Sequence, residues 1–179
     1  MLEIARLRGY FERVRQPMME QERNIDRAAH LLKAAYEKQM GGDLQGAIQL
    51  YKDSIAEHPT AEAHTFLGWT YSFLGRYDDA ILECERAIQL DPEFGNPYND
   101  IGSYLVHLGR MEEAIPWLEK AKGAARYEPR HFPYINLGRI YMKMGRIEQA
   151  TREFEQASFI QRSLDSMDSG EEESETVVH

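Results

Sequence analysis

The sequence predicts an all-α fold, a solenoid of stacked helix pairs, and three observations predict it. Glycine takes the second place in LGWTYSFLGRYDDA from Leu67, IGSYLVHLGRMEEA from Ile101 and LGRIYMKMGRIEQA from Leu137, so Gly68, Gly102 and Gly138 recur at intervals of 34 and 36 residues. The closing alanines Ala80, Ala114 and Ala150 keep the same intervals. Between these markers the apolar residues run at helical spacing, as in His64, Leu67, Gly68, Tyr71 and Leu74, and self-similarity at such a period is the mark of a repeat architecture. A glycine inside a helix costs about 1 kcal/mol relative to alanine. Incurred three times in register, that cost marks a requirement: the missing side chain lets a paired helix approach closely, and the apolar surface buried there, at roughly 25 cal/mol per Å², outweighs it.

Taken in order, residues 1–27 form an amphipathic helical segment. Ile4, Leu7, Phe11, Val14 and Met18 recur at spacings of 3 and 4, a seam suited to another helix, with Arg6, Arg8, Arg13 and Arg15 largely off it. Pro17 predicts a break or kink near Gln16. The segment reads as a cap on the first repeat, as a dimer contact, or as a basic amphipathic helix for a membrane surface. Four units follow, over residues 28–60, 61–94, 95–130 and 131–164. The first is degenerate: AAYEKQMGGDLQGA from Ala34 keeps the frame, with Ala35 in the small-residue slot and Ala47 lying 33 residues before Ala80. In each unit the first helix stops at an in-register glycine, Gly42, Gly75, Gly109 or Gly145. The second helix opens on acidic residues, Asp78 and Asp79, Glu112 and Glu113, or Glu148, where the helix dipole favours them. Its apolar face continues through Ala80, Ile81, Cys84, Ala87 and Ile88, and Pro59 and Pro92 end the first two units. Residues 165–179 carry six acidic residues and no lysine or arginine, the composition of an acidic disordered tail. With no separate helix after the fourth unit, Phe159, Ile160 and Leu164 are expected at the surface unless the last helix extends or pairs.

Composition limits the chemistry. The net charge of −9 leaves −3 outside the acidic tail, which argues against nucleic acid as the main partner. No apolar run is long enough for a membrane-spanning helix, the start lacks a secretory apolar segment, and the lone Cys84 excludes an intramolecular disulfide. A reducing, cytoplasmic setting follows as the expectation. The six histidines show no metal-ligand spacing. Cys84 lies in an apolar slot, as a buried inert thiol does, and the clearest glycines belong to the repeat. No catalytic residue, metal or cofactor is expected.

Those residues resemble the tetratricopeptide repeat family, whose pattern of a bulky residue, leucine–glycine, tyrosine, alanine, aromatic, alanine and proline is met in the second unit by Leu67, Gly68, Tyr71, Ala80, Ala87 and Pro92. The fourth unit meets it with Tyr134, Leu137, Gly138, Tyr141, Ala150, Phe154 and Ala157. The third has Tyr98, Ile101, Gly102, Leu105, Ala114, Leu118 and Ala121, and its connection is two residues longer. The first keeps Leu31, Ala35, Ala47, Tyr51 and Pro59. The resemblance implies a right-handed superhelical α-solenoid of helix-turn-helix repeats whose first helices line a concave groove.

By spacing, the groove-facing residues are Tyr36, Thr65, Trp69, Phe73, Asn99, Ser103, His107, Arg139 and Lys143, joined by Leu32, Gln39, Glu62, Ser72, Asn96, Val106, Phe132, Ile135 and Met142. Trp69 is the sharpest of them, because Tyr71 already fills the core slot. The second unit sums to −5, and residues 126–152 to +4, so an acidic segment is expected to dock at the last repeat, with the chain's own tail as competitor. The carboxylate clamp with which some family members grip chaperone tails is not matched in either register. The function expected is a non-catalytic adaptor or scaffold that binds a peptide or helix of a partner protein. The alternative is a dedicated chaperone or assembly subunit of a secretion or pilus-type complex, working as a dimer through its N-terminal or C-terminal helix.

Overall fold

A computed structural model describes the backbone of residues 2–174 and the side chains of residues 16–165. Among the described residues the chain forms eight helices in four antiparallel pairs: α1 (Leu2–Met40) with α2 (Leu44–Glu57), α3 (Ala61–Phe73) with α4 (Tyr77–Leu90), α5 (Asn96–His107) with α6 (Met111–Gly123), and α7 (Phe132–Lys143) with α8 (Ile147–Ser174). Consecutive pairs stack, and the first helices α1, α3, α5 and α7 each meet the next in succession along one side. That is the architecture of an all-α solenoid.

The turns inside the pairs are built alike. Gly75 has a φ of 70°, in the left-handed region where a Cβ is costly, and its turn is closed by Arg76 N–H donating to Tyr71 C=O at 3.1 Å. The second helices start as their acidic residues predict: Arg76 pairs with Asp79 at 2.7 Å and Arg110 with Glu113 at 2.6 Å. In the first unit Asp43 caps α2 by accepting from Gly46 N–H at 3.0 Å. Pro97 and Pro133 lie in the first turns of α5 and α7, where a missing N–H leaves no bond unmade.

The recurring small residue is explained by contact. A Cβ on Gly68 would stand 2.9 Å from the Ala80 carbonyl oxygen and 3.3 Å from Cys84 Sγ; on Gly138 it would meet the Phe154 ring at 2.6 Å. The core is one continuous row of Ala35, Tyr51, Leu67, Tyr71, Ile101, Tyr104, Leu118, Leu137 and Tyr141 running through all four pairs. Cys84 is fully buried in it, and desolvation raises its thiol pKa well above the ordinary value, which leaves it an inert packing residue. Polar links are also buried. His64 Nδ1 lies 2.7 Å from Glu83 Oε2 across α3 and α4, and Arg86 closes on the same carboxylate at 2.6 Å.

Three expectations are corrected. α1 runs through Pro17 without a break, so residues 2–27 and the first repeat helix are one 39-residue helix. The apolar spacing continues across the proline as Ile25, Ala28, Leu32 and Ala35, and a helix already held downstream propagates at little cost. Its partner α2 is tied to it by the Ala28 carbonyl, which accepts from Ser54 Oγ at 2.8 Å, and by Arg27, which pairs with Glu57 at 3.2 Å. Ile4, Leu7, Phe11 and Val14 of the predicted seam lie outside the residues whose side chains are described. Second, α8 continues to Ser174, so residues 165–174 are helix where composition predicts disorder, again as propagation from an existing helix; residues 175–179 lie outside the described ones. Phe159 is exposed on this extension, while Ile160 and Leu164 are half-buried. Third, Gln39 is only 4% exposed. It accepts from Tyr51 Oη at 2.7 Å and from Thr70 Oγ1 at 2.9 Å, tying α1 to α2 and α3 instead of facing a groove.

Candidate functional site: a concave recess

Helices α3, α5 and α7 contribute to one recess of about 490 Å³. Helix α3 brings Thr65, Phe66 and Trp69; α5 brings Asn96, Asn99 and Asp100; α7 brings Phe132, Asn136 and Arg139. Tyr127 and Pro129, from the long connection between the third and fourth units, complete the rim. Residues four apart share a helix face, so Thr65 with Trp69, Asn96 with Asp100, and Phe132 with Asn136 point the same way.

The recess has an apolar wall and a polar one. Phe66 and Trp69 have ring centroids 6.4 Å apart, and the aromatic row extends outward from Phe66 to Tyr36 at 5.7 Å and from Trp69 to Phe73 at 5.3 Å. Opposite, Asn136 Nδ2 donates to Asn99 Oδ1 at 2.9 Å, which orients both amides and leaves each with further donors and acceptors. Asp100 keeps only part of its surface in solvent. That desolvation pushes its carboxyl from an ordinary 3.8 up to about 7, against a hydrogen bond with Asn99 that pulls it down.

The shift carries a stability consequence. Between about pH 4 and pH 7 the folded chain holds the Asp100 proton and the unfolded chain does not, so this group's contribution falls as pH rises through that window. Asp100→Asn is therefore expected to be more stable than the wild type at pH 8, with the difference shrinking towards zero near pH 4. Urea midpoints of both proteins across that range check it; a difference independent of pH would contradict it.

Of the nine groove residues read from sequence, the recess gathers Thr65, Trp69, Asn99 and Arg139. Thr65 is buried and its hydroxyl donates to Ala61 C=O at 2.7 Å, so it lines the wall without a free donor. Tyr36 and Phe73 lie on the aromatic row outside the recess. His107 stacks on Tyr77 at 5.0 Å, at the far end of α5, and Ser103 and Lys143 are not among the lining residues. Phe66, Asp100, Asn136, Tyr127 and Pro129 were not in that set. Asp100 and Asn136 could have been found one turn beyond Asn96 and Phe132. The signal for Tyr127 and Pro129 was the longer third connection itself.

The positive charge of residues 126–152 is also reduced. Arg126 pairs with Glu62 at 2.7 Å and with Asp91, its Nε 3.1 Å from the carboxylate, and lies 4.3 Å from the Phe94 ring; Glu62 is spent there as well. Arg130 pairs with Glu128 at 3.4 Å and Arg152 with Glu148 at 3.6 Å. Among the described residues Arg139, Lys143 and Arg146 have no ion pair. No group of three or more histidine, cysteine, aspartate or glutamate residues is placed to hold a metal ion, and no helix is long and apolar enough to cross a membrane, both among the described residues.

Four stacked helix pairs with a recess lined by the first helices of three of them define a helical-repeat solenoid. Tetratricopeptide repeat profiles match residues 61–94, 96–127 and 133–162. The chain belongs to the tetratricopeptide repeat family. It is 32% identical over 94 residues to small glutamine-rich tetratricopeptide repeat-containing protein 2 of Mycosarcoma maydis, a match that covers 51% of this chain and only 27% of that protein. Among solved structures, MamA superposes with a TM-score of 0.70 at 23% identity, over 90% of this chain and 94% of MamA. The second repeat domain of Spaghetti (RPAP3), solved with the HSP90 peptide SRMEEVD, superposes with a TM-score of 0.54 at 22% identity, over 57% of this chain and 95% of that one. At these identities the structural likeness shows the fold.

Proposed function

We propose that the protein is a non-catalytic adaptor that holds a peptide or helix of a partner protein in its concave recess, acting in the cytoplasm. One observation carries the reading: aromatic, amide and charged side chains from three separate helices converge on one recess. An apolar side chain of the occupant would lie against Phe66 and Trp69, its backbone amides would meet Asn99 and Asn136, and a carboxylate near the last repeat would meet Arg139 and Lys143. The structure of a family member with a chaperone peptide supports a peptide as occupant. A chaperone tail is not favoured here, because the clamp residues with which some family members grip such tails are not matched in either register.

Capture from a lysate, comparing the wild type with Trp69→Ala and Arg139→Glu, tests the reading. Loss of a common set of partners supports it, and retention of every partner by both variants removes it. A homodimer through the N-terminal turns of α1 belongs to the same reading, because Ile4, Leu7, Phe11, Val14 and Met18 are spaced as a seam suited to another helix. A mass of twice 20.8 kDa by light scattering at about 100 μM, a weak-affinity working range, is the expected result, and a monomeric mass would contradict it.

A further inference from the structure

The last helix pair carries a second recess, and the repeat itself shows what kind of object it accepts. About 520 Å³ in volume, it lies between Ile135 and Arg139 of α7 and Phe154, Ala157, Ser158 and Arg162 of α8. Moved back by the 36 residues that separate Gly138 from Gly102, Ile135, Phe154, Ala157 and Ser158 fall on Asn99, Leu118, Ala121 and Lys122. Those four belong to the joint where the third pair receives α7. Asn99 accepts from Asn136 of α7 at 2.9 Å, Lys122 Nζ lies 4.6 Å from the Tyr134 ring of α7, and Leu118 and Ala121 are fully buried. Among the described residues no helix fills the terminal recess, which is otherwise the same joint. At its centre Ile135 stands in place of Asn99 and Phe154 in place of Leu118.

A second copy of the chain does not suit it. The part of α1 that would enter carries Lys33 and Glu37 in the frame positions of Asn136 and Ile140, and both are exposed and charged. The rim is cationic instead: Arg139 and Arg162 flank the recess, and among the described residues neither is paired with a carboxylate.

We propose that the α7–α8 recess docks an acidic amphipathic helix of a partner protein, as a fifth first-helix added to the array. Its apolar stripe lies over Ile135, Phe154 and Ala157, and its carboxylates pair with Arg139 and Arg162. This site is separate from the concave recess proposed above except for Arg139, which borders both.

The test uses the full chain and two stapled, fluorescein-labelled helical peptides built on the α7 sequence, one with glutamate and one with lysine at the solvent-side positions. Fluorescence anisotropy at low salt should show saturable binding of the glutamate peptide and at least about tenfold weaker binding of the lysine peptide, as steering and pairing by two cations require. Ser158→Trp, which fills the recess from an exposed position, and Arg162→Glu should each weaken the glutamate peptide at least about tenfold, and Arg162→Glu should narrow the preference over lysine. Trp69→Ala should leave this binding within about twofold while losing the partners of the concave recess, so that the two readings fail independently. Absence of saturable binding, equal binding of the two peptides, insensitivity to both Ser158→Trp and Arg162→Glu, or loss on Trp69→Ala would each overturn the proposal. So would a concentration-dependent dimer that Arg162→Glu dissolves, which would assign the recess to a second copy.

Discussion

Gly68→Val is expected to cost about 3 kcal/mol or more of stability, at the upper end of what overpacking a core does. The added Cβ alone meets the Ala80 carbonyl oxygen at 2.9 Å, and a backbone atom cannot rotate aside; the second neighbour, Cys84 Sγ at 3.3 Å, is fully buried and has nowhere to go. The helices α3 and α4 must then separate, which loosens His64 from Glu83 and opens the core at its centre. Alanine at the same place gains about 1 kcal/mol of helix propensity and still meets both contacts, so a smaller net loss is expected. Gly75→Ala separates the mechanisms. Nothing lies within 4 Å of a Cβ there, and its cost, about 1 kcal/mol, comes from the left-handed backbone alone. Chemical denaturation followed by circular dichroism checks all three. A Gly68→Val protein as stable as Gly75→Ala would mean that the recurring glycine is not a helix-contact device.

Trp69→Ala is expected to weaken the concave partner by roughly 30-fold, about 2 kcal/mol, the scale of a central aromatic anchor. Trp69 is half-buried, touches Phe66 and Phe73 on its own helix and faces Asn99 and Asp100 across the recess. Much of its ring is therefore already held in place, and an occupant gains the contact without the cost of ordering it. Core packing does not depend on it, because Tyr71 fills the neighbouring core position, so the variant should fold with a circular dichroism spectrum like that of the wild type. Asn136→Ala is the companion: it removes one oriented amide and frees Asn99, and a smaller loss of about 1 kcal/mol is expected. Isothermal titration of a captured partner peptide against both variants measures the pair. Full affinity in Trp69→Ala would place the binding surface elsewhere.

Much of the fold was legible because its signals are local and repeated. The intervals between Gly68, Gly102 and Gly138, the stops at Gly75 and Gly109, and the acidic openings at Asp79 and Glu113 each act through neighbours on one helix or one turn. The failures lay where distance in sequence gave no warning. Pro17 reads as a break, yet the cooperativity of a helix anchored further on carries α1 through it. Gln39 has the spacing of a groove residue, yet Tyr51 and Thr70, from two other helices, draw its amide into the core. The cationic stretch from Arg126 to Arg152 reads as a docking surface, yet Asp91, one repeat away in the chain, and Glu62, nearly two repeats away, neutralise Arg126 in space.

The sequence by itself determined the all-α repeat fold, the turns inside the pairs and the small residue at each crossing, since periodicity and turn chemistry act over a few residues. Only the tertiary structure decided which polar groups are spent internally, that Asp100 is desolvated beside Asn99 and Asn136, and that the final helix pair ends in an apolar joint bordered by Arg139 and Arg162. Those properties depend on which side chains from separate units come within a few ångströms of one another, and desolvation and pairing are set by that proximity.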